Sequence, residues 1–208
     1  MIRREIEDKR YPFPFVVYTP DAVKSGLPLI IQLHGAGERG EGGEELSLVD
    51  KNGFSSMISR GEFNAIFVMP QCPKDSFWAA RVESIGAFIR AIVEDFAVDV
   101  SRVYLCGISM GAFGTWYTAM AYPRLFAAIA PCCGGGMPWN AGVLTMPVYA
   151  VHGVEDDVVK VSNTDDMVEA LEKLGREVVY KRIPGVYHDS WNHTFDEELY
   201  GWLLSKKL

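Results

Sequence analysis

The segment Gly107-Ile108-Ser109-Met110-Gly111 restricts the possible folds of this chain more than any other stretch. Before it, Val103-Tyr104-Leu105-Cys106 is an apolar run of strand length, and from Ala112 onward the pattern reads as a helix. A serine between two such elements sits on a sharp strand-to-helix turn. Glycines flank it because side chains there would collide with the neighbouring strand and helix. The turn lifts the hydroxyl above a sheet and sets it at a helix N-terminus, where partial positive charge favours a developing anion.

Short apolar runs alternating with longer helical patterns predict a parallel sheet covered on both faces. The expected strands are Phe13–Tyr18, Leu29–Leu33, Ala65–Met69, Val103–Gly107, Ala127–Ala130, Val148–Val151 and Val178–Ile183. One helix is expected from about Ala80 to Phe96, since Val82, Ile85, Ile89, Ile92, Val93 and Phe96 form one stripe. A second follows Met110, with Phe113, Trp116, Tyr117 and Met120 as its apolar positions, and must stop before Pro123. A third starts after Ser162, where Ser162 and Asp165 have capping-box spacing, and stops near Gly175. The last spans roughly His193 to Ser205. Gly- and Pro-rich stretches at 34–43, 70–76 and 134–142 are loops of the kind that carry sites. No repeat or linker divides the 208 residues, so a single domain over 1–208 is expected.

The formal net charge of -7 opposes binding to nucleic acid and to anionic membranes, which carry the same sign. The N-terminal residues hold no apolar core of signal-peptide length, and the expected location is cytoplasmic. Cys72, Cys106, Cys132 and Cys133 lack CxxC spacing, which argues against a zinc or redox motif. They are expected to be reduced and buried, with a disulfide from Cys72 to one of the adjacent pair as the alternative.

A serine hydroxyl needs a base to become a nucleophile, and the chain has four histidines. His34 and His152 each precede a glycine at a strand end and read as loop braces, while His193 reads as a surface or capping residue. His188 lies in the polar loop Pro184–Trp191 after the last strand, from which a doubly wound sheet can return a base to the serine. An acid must orient that imidazole. After Val148–Val151 come Glu155, Asp156 and Asp157, and spacing leaves the two aspartates open, with Glu155 a weaker third. The order serine, acid, histidine is the one this architecture uses. Backbone N–H groups for an oxyanion are expected from Met110 and from the loop His34-Gly35-Ala36-Gly37, at Ala36 with Gly37 close behind.

Several segments together resemble the compact esterases of the α/β-hydrolase superfamily. They are Leu33–Gly40, Pro70-Gln71-Cys72-Pro73, Val103–Gly114, Tyr122–Pro131 and His188-Asp189-Ser190-Trp191. The groups resembled are the phospholipase/carboxylesterase, polyhydroxybutyrate depolymerase-like, feruloyl esterase-like and predicted-peptidase proteins. The resemblance implies a doubly wound, mostly parallel sheet of the α/β-hydrolase fold without a large cap domain. It implies Ser109 as nucleophile, His188 as base and, from the pattern H-G-x-x-D-x-x-V, Asp156 as acid. Many relatives have proline where this chain has Asp157. Trp78 and Trp191 fall in loops expected to wall the substrate site. The expected activity is hydrolysis of short-chain or aryl carboxylic esters, including carbohydrate-linked ones, through an acyl-enzyme, with no metal or organic cofactor. The expected partner is a small-molecule ester, not nucleic acid or membrane. A serine peptidase, a thioesterase and a non-catalytic binding protein on the same fold are the competing expectations.

Overall fold

The computed structural model describes residues 1–22 and 25–208. Eight strands form one sheet: β1 (Ile2–Ile6), β2 (Phe15–Thr19), β3 (Leu29–Leu33), β4 (Ile66–Pro70), β5 (Val103–Ile108), β6 (Ala128–Cys132), β7 (Val148–Gly153) and β8 (Val178–Ile183). Their spatial order is β1-β2-β4-β3-β5-β6-β7-β8. The pairs from β4 through β8 are parallel, while β2 runs antiparallel to both of its neighbours.

Alternate residues of the buried strands feed two cores. In β5, Val103 and Leu105 face the core that holds Trp116, while Tyr104, Cys106 and Ile108 face the one that holds Phe54. The first core is covered by α2 (Val82–Asp95), α3 (Met110–Ala121) and α4 (Ser162–Lys173). The second lies under α1 (Ser55–Ile58) and α5 (Glu197–Leu204). Burial of each large side chain here contributes about 1.5–3 kcal/mol relative to exposure. The chain goes from β3 outward to β4, then crosses back to β5 on the other side. The loops after β3 and β5 therefore part company at the carboxyl ends of the strands, where crevices open in sheets of this kind.

The seven expected strands are present within one or two residues at each end. β1 is additional: Arg3, Arg4 and Glu5 are exposed on an edge strand, which leaves no apolar alternation to read. Ser162 does not cap α4. It is the first helical residue, and its expected partner Asp165 accepts from the Tyr180 hydroxyl on β8 instead (2.6 Å). α5 begins at Glu197 rather than His193. Residues Ser190–His193 form a 3-10 turn, and the Asp196 side chain then caps the helix by accepting from Leu199 N–H (2.9 Å). All four cysteines are buried and free, so the alternative disulfide is not formed. Among the described residues no helix is long and apolar enough to cross a membrane.

Candidate active site

β5 ends in a turn with almost no free volume. A Cβ on Gly107 would lie 2.1 Å from the Gly111 carbonyl oxygen, and one on Gly111 would lie 2.0 Å from that of Leu33. Close approach, not a special φ, is what these glycines allow. The left-handed residue is Ser109 itself, at φ 52 and ψ -114. A non-glycine residue held there stores strain of about 1–3 kcal/mol, maintained by the packing around it. Ser109 N–H donates to Cys132 O (2.9 Å), while Ser109 O accepts from Ala112 and Phe113 N–H (2.8 and 3.2 Å). The backbone is thus tied to β6 on one side and α3 on the other. The hydroxyl is left facing outward, partly exposed.

Ser109 Oγ lies 2.8 Å from His188 Nε2, and His188 Nδ1 lies 2.7 Å from Asp156 Oδ2. The structure therefore brings together the expected serine, histidine and one of the two aspartates. Asp156 is 7 % exposed, while Asp157 points to solvent. The choice between them is made by the backbone, because Asp156 Oδ1 accepts from Val158 and Val159 N–H (3.0 and 2.8 Å). Desolvation pushes the Asp156 carboxyl upward, but the His188 hydrogen bond and these two N–H groups outweigh it and hold the group below the usual carboxylate range. Glu155 has a different use: its carboxylate accepts from Gly185 N–H (2.6 Å) and so anchors the loop carrying His188.

The other histidines are placed by their partners. His152 is buried, with Nδ1 2.7 Å from Thr164 Oγ1, and with Nε2 2.8 Å from Val159 O and 3.2 Å from Asp156 Oδ2. It braces the turn that carries Asp156. His34 Nε2 accepts from Cys72 N–H (3.0 Å), which ties the loop after β3 to the loop after β4. Burial lowers the His34 pKa to about 4, so it stays neutral in the fold. His193 is exposed.

Ala36 opens a 3-10 turn, and Gly35 before it packs against Ser109: a Cβ on Gly35 would lie 3.8 Å from that of Ser109. Arg39 Nε donates to Ala36 O (2.9 Å) and holds the turn. Met110 is the first residue of α3, and its N–H is one of those a helix leaves without an internal acceptor. Met110 thus adjoins the serine in the chain, and Ala36 follows the glycine that packs against it.

Trp78 is not at the surface of the cleft. It is fully buried, donates from Nε1 to His34 O (3.0 Å) and fills the slot left by Gly114, whose added Cβ would meet Trp78 Cβ at 2.4 Å. Its neighbours Phe77 and Ala79 line the cavity instead. That cavity, about 400 Å³, is bounded by Ser109, Met110, Phe113, Tyr117 and Val159 on its other sides. Phe113 and Tyr117 read in the sequence as core positions of a helix. Their spacing of three and seven from Met110 is the signal that would have placed them on the serine's face. Trp191 packs edge-on against the His188 ring, with centroids 5.5 Å apart.

Cys133 Sγ, a carboxylate oxygen of Asp156 and a ring nitrogen of His188 lie within 4.8 Å of one another. Burial pushes the Cys133 thiol well above its ordinary pKa, which keeps it protonated and a poor metal ligand. The Asp156 and His188 atoms are also already bonded to each other. The set suits proton transfer better than metal coordination.

Residues 63–199, more than half of the chain, match the family model described as phospholipase/carboxylesterase. The bifunctional acetylxylan esterase/xylanase of Neocallimastix patriciarum is 27 % identical over 158 residues, covering 74 % of this chain and 23 % of that protein. The poly(3-hydroxyalkanoate) depolymerase C of Paucimonas lemoignei is 28 % identical over 131 residues, covering 57 % of this chain and 30 % of that protein. This chain thus spans less than a third of the length of either curated relative. A solved thermostable esterase aligns with a TM-score of 0.79 at 25 % identity, over 100 % of this chain and 63 % of its own. On its fold, its strand-to-helix serine turn and the family match, the chain belongs to the phospholipase/carboxylesterase family of α/β hydrolases.

Proposed function

We propose that this protein hydrolyses short-chain or aryl carboxylic esters through an acyl-enzyme on Ser109. The observation that carries this reading is the unbroken relay from Ser109 Oγ through His188 to Asp156, at 2.8 and 2.7 Å. His188 Nε2 removes the hydroxyl proton as Ser109 Oγ attacks the ester carbonyl, and Asp156 keeps the imidazole in the tautomer that can accept it. The N–H groups of Ala36 and Met110 receive the charge that develops on the carbonyl oxygen. Donors of this kind contribute about 3–4 kcal/mol each. The alkoxide leaves with the proton from His188, forming acyl-Ser109. His188 then takes a proton from water, whose attack releases the acid and restores the hydroxyl. The apolar cavity walled by Phe77, Phe113 and Tyr117 suits a small acyl or aryl group.

The test pairs a label with a substrate comparison. A fluorophosphonate should modify Ser109 and no other residue, as read by peptide mass. 4-Nitrophenyl acetate and butyrate should be cleaved at least a hundredfold faster than a peptide 4-nitroanilide. Faster cleavage of the anilide, or no labelling of Ser109, overturns the proposal.

A further inference from the structure

Trp139 plays no part in the site described above, yet it is 83 % exposed. It sits in the 3-10 turn Pro138–Val143, on the segment that leaves β6 past Gly134, Gly135 and Gly136. A single exposed apolar side chain is ordinary in itself; what gives this indole meaning is its place on the wall of a groove. Beside it runs a groove of about 560 Å³ whose walls include Gly136, Trp139, Asn163, Asp166, Glu169 and Lys173.

The groove has a direction. Asn163 lies in the first turn of α4 and Lys173 is its last residue, so it extends along the helix for ~15 Å at 1.5 Å per residue. Its upper end is joined to the serine's turn through the buried backbone of Gly134 and Gly135. A Cβ on Gly135 would lie 2.8 Å from that of Asn163, and one on Gly134 would lie 3.1 Å from Ser109 O. Val159, four residues before Asn163, lines the cavity that contains Ser109. The groove and the cavity share no lining residue, so an occupant of both has to be a chain long enough to pass over the surface from Ser109 to Trp139.

The chemistry of the walls narrows the occupant. One flat aromatic face lies among an amide, two carboxylates and an ammonium that Glu169 already neutralises. Such a surface is too polar for an apolar helix, and the net charge of -7 repels an anionic polymer. A neutral sugar chain satisfies both halves. The C–H face of a pyranose stacks on the electron-rich indole, and its hydroxyls donate to carboxylate oxygens in charge-assisted hydrogen bonds. We propose that this groove is a subsite for the sugar chain of an ester-bearing neutral carbohydrate, with Trp139 as its stacking platform. The assignment rests on the reading of Ser109 as an esterase nucleophile.

The experiment compares the wild type with Trp139→Ala and Trp139→Tyr on partially acetylated xylo-oligosaccharides and on 4-nitrophenyl acetate. Trp139→Ala should raise KM for the oligosaccharide roughly tenfold, the scale of one lost aromatic stacking contact, with kcat little changed. Trp139→Tyr should restore most of that loss, and all three proteins should cleave 4-nitrophenyl acetate within twofold of one another. Unesterified xylohexaose should shift the tryptophan fluorescence of the wild type but not of Trp139→Ala. An unchanged oligosaccharide KM in Trp139→Ala overturns the proposal, as does an equal loss on both esters. So does a dimer that Trp139→Ala dissociates while its oligosaccharide KM stays that of the wild type. A wild type that binds xylohexaose through Trp139 yet leaves 4-nitrophenyl acetate intact removes the esterase reading and leaves the subsite standing.

Discussion

The serine and its histidine come from loops built in opposite ways. The turn at Ser109 ends a central strand buried on both faces, and backbone contacts near 2 Å from the positions of absent Cβ atoms hold it. The loop Pro184–Asp189 follows β8, an edge strand whose residues are half-buried or exposed. It rests on Gly153, where a Cβ would meet Val186 O at 2.3 Å, and is tied by Glu155 to Gly185 and by Asp156 to His188. The position of Ser109 is thus a property of the core. The position of His188 depends on a handful of hydrogen bonds, and changes at the two places should have different consequences.

The largest effect is expected at the turn. Gly111→Ala forces a methyl group into the Leu33 carbonyl and should cost more than about 4 kcal/mol, seen as loss of the cooperative thermal transition. A variant melting close to the wild type would break the comparison. Next come Ser109→Ala and His188→Ala, each of which should lower kcat by on the order of 10⁶ with the melting temperature nearly unchanged. A His188→Ala protein that loses stability as Gly111→Ala does would make the outer loop structural after all. A smaller effect separates the neighbouring acids: Asp156→Asn should reduce kcat by about 10⁴, and Asp157→Asn by less than about threefold. A larger loss in Asp157→Asn would sink the assignment of Asp156.

The smallest effect is on stability against pH. The folded-state pKa of His34 is lowered to about 4 by burial, below the usual ~6.5 of an unfolded chain. Between those values the unfolded chain binds a proton that the fold refuses, so stability falls as pH falls through that window. The loss is of order 3 kcal/mol by pH 4. A melting curve series from pH 7 to 4.5 should slope less in His34→Gln than in the wild type, and identical slopes would remove His34 from the account.

Most of the strand framework was legible because each buried strand is a short apolar run bounded by turn residues. The serine turn was legible for a similar reason: strand, glycines and helix start are compressed into about ten residues. What escaped was set by contacts between distant segments. Trp78 reads as a cleft wall until Gly114 of α3 is seen to open a slot for it. Phe113 and Tyr117 read as core until the inner faces of α3 prove to be filled by Thr115, Trp116 and Ala119, which leaves the two aromatics for the cavity. Spacing could not separate Asp156 from Asp157, because the choice depends on which carboxylate the Val158 and Val159 N–H groups receive. β1 carried no pattern, since a polar edge strand buries neither face.

That edge has a consequence for how the protein behaves when concentrated. On β1, Arg3 bonds Glu5 and Asp50, and on β8, Lys181 bonds Glu198 and Arg182 bonds Asp165. Both open rims of the sheet therefore present long charged side chains where a further strand would have to dock. An incoming chain would need to strip those ions of water before its first ladder bond could form, which discourages growth into fibres and end-to-end aggregates.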